Sequence, residues 1–478
     1  MPHLRILTET MLAIANGEIN RVIVAMPPGH GKSTMTSHYF PTWYLGRFPT
    51  KKLLVCSYEG HFASNWGRHC RDTMAEYGSD IYGVGVNPNS QRSDWWETTH
   101  GGTMYSAGVG GAITGKRLNG IVIDDPFKSN EDANSETQRQ KKWDWFCSTA
   151  YTRLEPGGFI IIVMTRWHEE DIAGRAITDM EMGNGDKYTV INLPALALDE
   201  GNDPLGRSAG EALWPGRFST EDLEKTKRVV GSYWWQAMYQ GDPQTPGGEV
   251  FKREWFRYYH PSEKEGHGTF TMDNNRTIEL DTRAGIRYMT VDLAASLKDE
   301  ANFTVFMVWT RLAQAGKPVY ALLDVVRARM DGPTILSTMK ATCRKYQCRV
   351  VGIESVGFQL ALCQMAQKQG IPVREMLPDK DKLSRALAST PAFERGEVWF
   401  PANAPWLSVL EHELLGFPHG AKDDQVDAIS MGVAFPPLPS MIPPSPRKGT
   451  KRQRRADTLL DAKAPSDYAP RIEEDEDE

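Results

Sequence analysis

The chain has 478 residues, 40% of them hydrophobic and 24% charged, with a formal net charge of −6. That length exceeds one ordinary core and predicts two domains with appendages, while the acidic balance argues against a protein that coats nucleic acid through bulk charge and leaves room for local patches. No stretch reaches membrane-spanning length, the N-terminus lacks a signal-peptide layout, and Cys56, Cys70, Cys147, Cys343, Cys348 and Cys363 contain no Cys-x-x-Cys pair, so secretion, a zinc site and a disulfide framework are not indicated.

Leu4 to Ala15 reads as a short amphipathic helix stopped at Gly17. Arg21 to Ala25 is an apolar, β-branched run too short for a helix, and it leads into Pro27-Pro28-Gly29-His30-Gly31-Lys32-Ser33-Thr34. Strand, Pro/Gly turn and Gly-Lys-Ser in that order are expected of a P-loop, in which backbone N–H groups and a helix N-terminus surround a phosphate. Pro28 to Thr34 would then cradle ATP, Lys32 would neutralise the β/γ oxygens, and Ser33 would ligate Mg²⁺. Met26 stands where the pattern's first glycine is usual. The competing reading is a plain strand-to-helix turn with an exposed lysine. Thr34 to Tyr44 is expected as the helix behind the loop, Lys52 to Ser57 as a second buried strand and Glu59 to Tyr77 as a helix, an alternation that predicts a mostly parallel sheet covered on both faces.

Leu118 to Ile123 is an apolar strand ending in Asp124-Asp125-Pro126. Beside a P-loop, Asp124 would hold Mg²⁺ and Asp125 would polarise the attacking water, although Asp-Asp-Pro is also good turn chemistry. Between these anchors, the Gly-rich run Gly108 to Arg117 reads as a loop gripping phosphate or as a hairpin, with Arg117 a candidate charge-stabilising arginine for a neighbouring subunit's ATP. Phe159 to Met164 is a third strand. Thr165, at its carboxyl end, would sense the γ-phosphate and Arg166 would relay that state, while Glu169 to Asp171 also suit a helix N-terminus.

Pro-Pro-Gly-His-Gly-Lys-Ser, Gly-Gly-Ala-Ile-Thr-Gly-Lys-Arg, Ile-Asp-Asp-Pro and Met-Thr-Arg-Trp-His-Glu-Glu-Asp-Ile together closely resemble the ATPase motifs of tailed-phage terminase large subunits. Tyr233 to Pro243 resembles that family's junction after the ATPase domain. Many members carry an arginine inside the P-loop; none lies between Ala25 and Lys32 here.

Gln244 to Glu249 suggest a Pro/Gly break and a domain boundary, followed by an irregular lead-in to about Arg283. Tyr288 to Ala294 is expected as a strand with Asp292 in its middle, Phe303 to Trp309 and Val319 to Arg327 as antiparallel partners, Pro333 to Tyr346 as a helix and Arg349 to Glu354 as a fourth strand. That order is the layout of an RNase H-like nuclease. Asp423 and Asp424 read as a helix start with Asp427 one turn on, as metal ligands or as simple caps. An acid within an apolar strand costs several kcal/mol to bury unless it meets a cation. Asp292, Glu354 and Asp424, aided by Asp423, would hold two Mg²⁺ or Mn²⁺ ions for phosphodiester cleavage. This half is likewise similar to the terminase nuclease, with Lys422 where members often have histidine.

The expected fold is α/β: a P-loop ATPase domain over 1–245, a lead-in over 246–285, an RNase H-like nuclease over 286–436 and a disordered basic-then-acidic tail over 437–478 that docks on a portal or on DNA, or is only solvated. The resemblance implies ATP-driven packaging of double-stranded DNA in the host cytoplasm, a pentameric ring on a portal protein and a terminase small subunit as partner. A superfamily-2 helicase or repair translocase with a fused nuclease is a rival, opposed by the absence of a second recA-like pattern between Pro243 and Asp292. An inactive prophage remnant that only binds portal or DNA is another, opposed by intact Lys32, Asp124, Asp292 and Glu354.

Overall fold

Near-continuous apolar runs form the first sheet, as strands covered on both faces require. In the computed structural model these strands are β1 (Arg21–Ala25), β2 (Lys52–Ser57), β3 (Val86–Gln91), β4 (Trp95–Thr98), β5 (Thr103–Gly108), β6 (Leu118–Asp124), β7 (Leu154–Met164) and β8 (Thr189–Asn192). Their order is β3-β4-β5-β2-β6-β7-β1-β8. Every pairing in that order from β5 to β8 is parallel, whereas the β3/β4 and β4/β5 pairings at one edge are antiparallel. The structure describes residues 1–434 except 112, 114, 199–202, 245–249, 273–274, 294–302, 355–357, 377–380 and 421–422. The Pro/Gly break, Lys422 and the tail therefore lie outside the described residues.

Alternation of side chains along each strand sorts the core into two layers. Val22, Val24, Leu53, Val55, Ile161 and Val163 face the helices Pro2–Ala15 and Gly60–Tyr82, whereas Ile23, Leu54, Ile123, Ile160 and Ile162 face Trp145, Phe146 and the helix Ile172–Glu181. The helix behind the P-loop runs on to Arg47, opening with a widened π stretch over Thr34–Tyr39. The next helix outlasts its expected end by about a turn and stops where Gly83 turns left-handed at φ 67. Five of the cysteines are buried and unpaired; Cys147 is exposed.

The second sheet contains β9 (Arg257–Pro261), β10 (His267–Thr271), β11 (Thr277–Asp281), β12 (Ile286–Asp292), β13 (Thr304–Gln314), β14 (Lys317–Ala328), β15 (Val350–Glu354), β16 (Val373–Met376) and β17 (Val398–Pro401), in the order β11-β10-β9-β17-β14-β13-β12-β15-β16. β12 to β14 form the expected antiparallel meander, the helix Gly332–Tyr346 follows, and β15 returns parallel to β12. Two expectations are corrected. Residues 257–281 are not an irregular lead-in but three edge strands of this sheet. Their outer residues are polar and exposed, which hides the strand pattern, while Tyr259 and Phe270 stack inward with ring centroids 4.8 Å apart. Asp292 is the last residue of its strand rather than its middle.

The two halves meet along the helix Lys382–Glu394. Asn134 Nδ2 donates to Ser384 Oγ at 3.2 Å, and the Ser232 N–H and hydroxyl donate to the Glu394 carboxylate at 2.9–3.1 Å. Gly231 breaks the helix Thr220–Trp234 with φ 81, and a Cβ there would stand 2.8 Å from Pro391 Cγ. Both the backbone angle and the contact exclude a side chain. Gly231→Ala is therefore expected to lower stability by ~1–3 kcal/mol, read as a reduced denaturant midpoint with an unchanged m-value; an unaltered midpoint would refute this account of the junction.

Candidate functional site

β1 ends at Ala25, and the chain turns through Gly29 (φ 77) and Gly31 (φ 88) into a helix whose early bond runs from Met35 N to Gly31 O at 3.1 Å. Pro28 is half-buried, Gly29 and Thr34 are exposed, and His30 lies beneath the loop. The His30 ring stacks on Phe218 at 4.6 Å, and its Nδ1 stands 2.9 Å from Pro28 O. Burial lowers the His30 pKa to about 4, so the ring is neutral at physiological pH and Nδ1–H is the donor to that carbonyl. His3 Nε2 reaches His30 O at 3.2 Å, and the His3 ring lies against Trp214. These supports were not foreseen: nothing in the spacing of His3, Trp214 and Phe218 points to the loop.

Lys32, buried, is held between Thr165 Oγ1 at 2.8 Å and Asp125 Oδ2 at 3.4 Å. Ser33 Oγ donates to Asp124 Oδ1 at 2.8 Å, while Asp124 Oδ2 is buried without a hydrogen-bond partner. Burial first, and Asp125 second, raise the Asp124 pKa to about 7. Asp125 itself takes φ 42, unusual for a residue with a Cβ, and its Oδ1 accepts the Thr165 N–H at 2.7 Å. Lys32, Ser33, Asp124, Asp125 and Thr165 thus converge where β1, β6 and β7 end. Arg166 instead grips Asp171, buried, through Nε at 2.8 and 3.0 Å, and Asp171 caps the helix that follows. Arg117 does not join the group. It lies at the start of β6, about 20 Å of strand from Asp124.

The second cluster forms beside the carboxyl ends of β12 and β15. Parallel register pairs Val291 with Ile353, so the next residues, Asp292 and Glu354, fall side by side. Asp424 opens the helix Asp424–Ala434, with Asp423 just before it and Asp427 one turn along. Burial, followed by repulsion from Asp427, pushes the Asp292 carboxyl well above the usual range, with Glu354 and Asp424 adding to it. Three cations face these acids. Lys382 Nζ lies 2.8 Å from Asp423 and 2.9 Å from Asp427; the Arg385 guanidinium lies 2.7 Å from Asp427 and 3.5 Å from Glu354; Arg327 lies 3.3 Å from Asp424 and 3.7 Å from Glu413. Asp427, which the sequence left as a possible structural residue, is the acid both Lys382 and Arg385 share. Among the described residues no group of three acid, histidine or cysteine side chains stands as a ready metal chelate. Lys382 and Arg385 were missed in the sequence because an i, i+3 cation pair on a helix looks like an ordinary solvated face.

Residues 23–258 match the family described as terminase large subunit, T4likevirus-type, N-terminal, and residues 289–434 match the terminase RNaseH-like domain. The chain belongs to the terminase large-subunit family. Members of this family combine an ATPase with a nuclease in phage DNA packaging. Solved structures similar to this terminase include the large terminase of a thermophilic bacteriophage (12% identity, 88% of this chain and 97% of that one, TM-score 0.46) and that of bacteriophage HK97 (10%, 88% and 92%, 0.35). The large terminase nuclease of thermophilic phage G20c covers 40% of this chain and 98% of its own (14% identity, TM-score 0.29). No residue role rests on these likenesses. No curated protein sequence matches the terminase, and none of its described helices is long and apolar enough to cross a membrane.

The Asp124 environment sets a pH test. Folded chains keep its proton to about pH 7, whereas unfolded chains release it near the ordinary carboxylate value, so this residue costs stability increasingly as pH rises between the two. Asp124→Asn removes that cost. In denaturant unfolding without nucleotide or metal, the variant is expected to exceed wild type by ~1–3 kcal/mol at pH 8, with the gap closing toward pH 4; a gap independent of pH would contradict the assignment.

Proposed function

We propose that this terminase drives double-stranded DNA into a procapsid by hydrolysing ATP at the first cluster and cuts concatemeric DNA at the second. The observation that carries the reading is the meeting of Lys32, Ser33, Asp124, Asp125 and Thr165 within hydrogen-bonding reach at the carboxyl ends of adjacent parallel strands. Pro28 to Thr34 bind the ATP phosphates, with Lys32 exchanging Thr165 and Asp125 for phosphate oxygens. Ser33 Oγ and Asp124 hold Mg²⁺, a role that fits the unpartnered buried Asp124 Oδ2. Asp125, oriented by the Thr165 N–H, takes the proton of the attacking water, and Thr165 reads the γ-phosphate. Arg117, too far from this chain's own phosphate site, serves a neighbouring subunit of a pentameric ring.

Asp292, Glu354, Asp424 and Asp423 make the nuclease site. Their oxygen-only donor set and the repulsion around Asp292 fit two Mg²⁺ or Mn²⁺ ions. Bound there, the ions supply Lewis acidity for water attack and for the leaving oxygen. The large terminase of the thermophilic bacteriophage is known with ATP-γ-S and with ADP, and the G20c nuclease with magnesium, zinc or cobalt, the ligand classes proposed for this chain. The motor is assigned to residues 1–245 and the nuclease to 286–436, with β9 to β11 joined to the nuclease sheet. The portal protein and a terminase small subunit are the proposed partners, and the host cytoplasm the setting.

Supercoiled plasmid cleavage with Mg²⁺ or Mn²⁺, run beside ATP turnover, tests both assignments. Lys32→Ala is expected to lower ATPase at least ~100-fold, and Asp292→Ala to lower cutting at least ~100-fold while sparing ATPase. Normal cutting by Asp292→Ala, or no cutting by wild type with either metal, would remove the nuclease assignment.

A further inference from the structure

We propose that Lys382 and Arg385 are internal counter-ions that hold the nuclease carboxylates together without metal and must release Asp423, Asp427 and Glu354 for a divalent ion to bind. This rests on the nuclease reading above and names two residues that set its metal affinity.

Geometry carries the inference. Asp292, Glu354, Asp423, Asp424 and Asp427 crowd one end of the second sheet, and like charges that close cannot all stay ionised without neutralisation. Lys382 and Arg385 are three residues apart on one helix and so point to one side of it. Asp381 fixes that helix by capping it, its Oδ1 accepting the Ser384 N–H at 2.9 Å. The two cations bracket Asp427, each bonding one of its oxygens, at 2.9 and 2.7 Å. Both Asp427 oxygens are thus already engaged by cations that a divalent ion would have to displace or share.

Arg327 differs. Its guanidinium lies 4.0 Å over the Phe303 ring and near Glu413, which is itself tied to Gln425 at 2.6 and 2.8 Å. Arg327 also reaches Asp424 at 3.3 Å, but its stacking on Phe303 and its pairing with Glu413 tie it to the frame as well as to the cluster. Lys382 and Arg385, by comparison, ion-pair with acids of the cluster: Asp423, Asp427 and Glu354. A divalent ion placed among these oxygens repels Lys382 and Arg385 and competes for the same lone pairs, so the cations weaken metal binding in proportion to their grip.

Mn²⁺ titration of the full chain, without nucleotide or DNA, decides the matter. Lys382→Met and Arg385→Met are each expected to bind Mn²⁺ about tenfold more tightly than wild type, and Lys382→Arg to stay near wild type. Asp292→Asn is the control for the nuclease site and is expected to lose binding. Unchanged or weaker Mn²⁺ binding by the Met variants, with Asp292→Asn still impaired, overturns the proposal and leaves the two cations as mere supports for Asp427. Wild-type-like binding by Asp292→Asn removes the nuclease reading itself, and the proposal with it. Should the Met variants fail to fold, amine labelling of wild type followed by mass spectrometry takes their place. Lys382 is expected to be modified several-fold faster with Mn²⁺ than with chelator, and equal rates overturn the proposal.

Discussion

A carboxylate at the carboxyl end of a buried strand has little water to solvate it, so its charge must be answered by a cation from elsewhere in the fold. Both halves of this terminase are arranged around that requirement. In the first, Lys32 reaches back from the P-loop helix to Asp125 and Thr165. In the second, three basic side chains from β14 and from the helix Lys382–Glu394 converge on Glu354 of β15 and on Asp423, Asp424 and Asp427 at the start of the helix Asp424–Ala434, beside Asp292. The folds differ in topology, but each concentrates acids where adjacent strand ends align, because parallel register brings equivalent positions of neighbouring strands side by side.

Features governed by local chemistry were legible in the sequence. The parallel strands announced themselves as short β-branched runs, and Gly29-His30-Gly31-Lys32 followed by Asp124-Asp125 gave the order of one site before any contact was known. The meander, the helix and β15 followed from lengths and apolar patterning, which placed Asp292 and Glu354 on neighbouring strands. What stayed hidden depends on tertiary packing. His3 supports a loop 27 residues away, and Phe218 packs on that loop from far along the chain. The strands β9 to β11 escaped because edge strands are short and polar on one side. Lys382 and Arg385 escaped because a helical cation pair says nothing about what it faces. Arg117, just before the strand that ends in Asp124, lies where the sequence put it, at the far end of β6 from the phosphate loop.

His30 adds a physical detail to the P-loop. A histidine inside a phosphate loop could add positive charge, yet its burial against Phe218 keeps it neutral, so its use is steric. It fills the space beneath Gly29, where the aromatic ring of Phe218 would leave a Cβ only 3.0 Å. The loop is thereby shaped from below by two rings, while Lys32 supplies charge at the phosphate side.

The helix Lys382–Glu394 has a consequence of a mechanical kind. Asn134 lies ten residues beyond Asp124, and the Ser384 hydroxyl it bonds stands between Lys382 and Arg385 in sequence. At the other end of that helix, Glu394 is clasped by Ser232, and Pro391 is wedged against Gly231. The helix is therefore clamped to the first half at both ends while its basic side chains are engaged by the acids of the second. Relative rotation of the halves must either tear those end clamps or carry Lys382 and Arg385 with it, which makes this helix an axle shared by two machines.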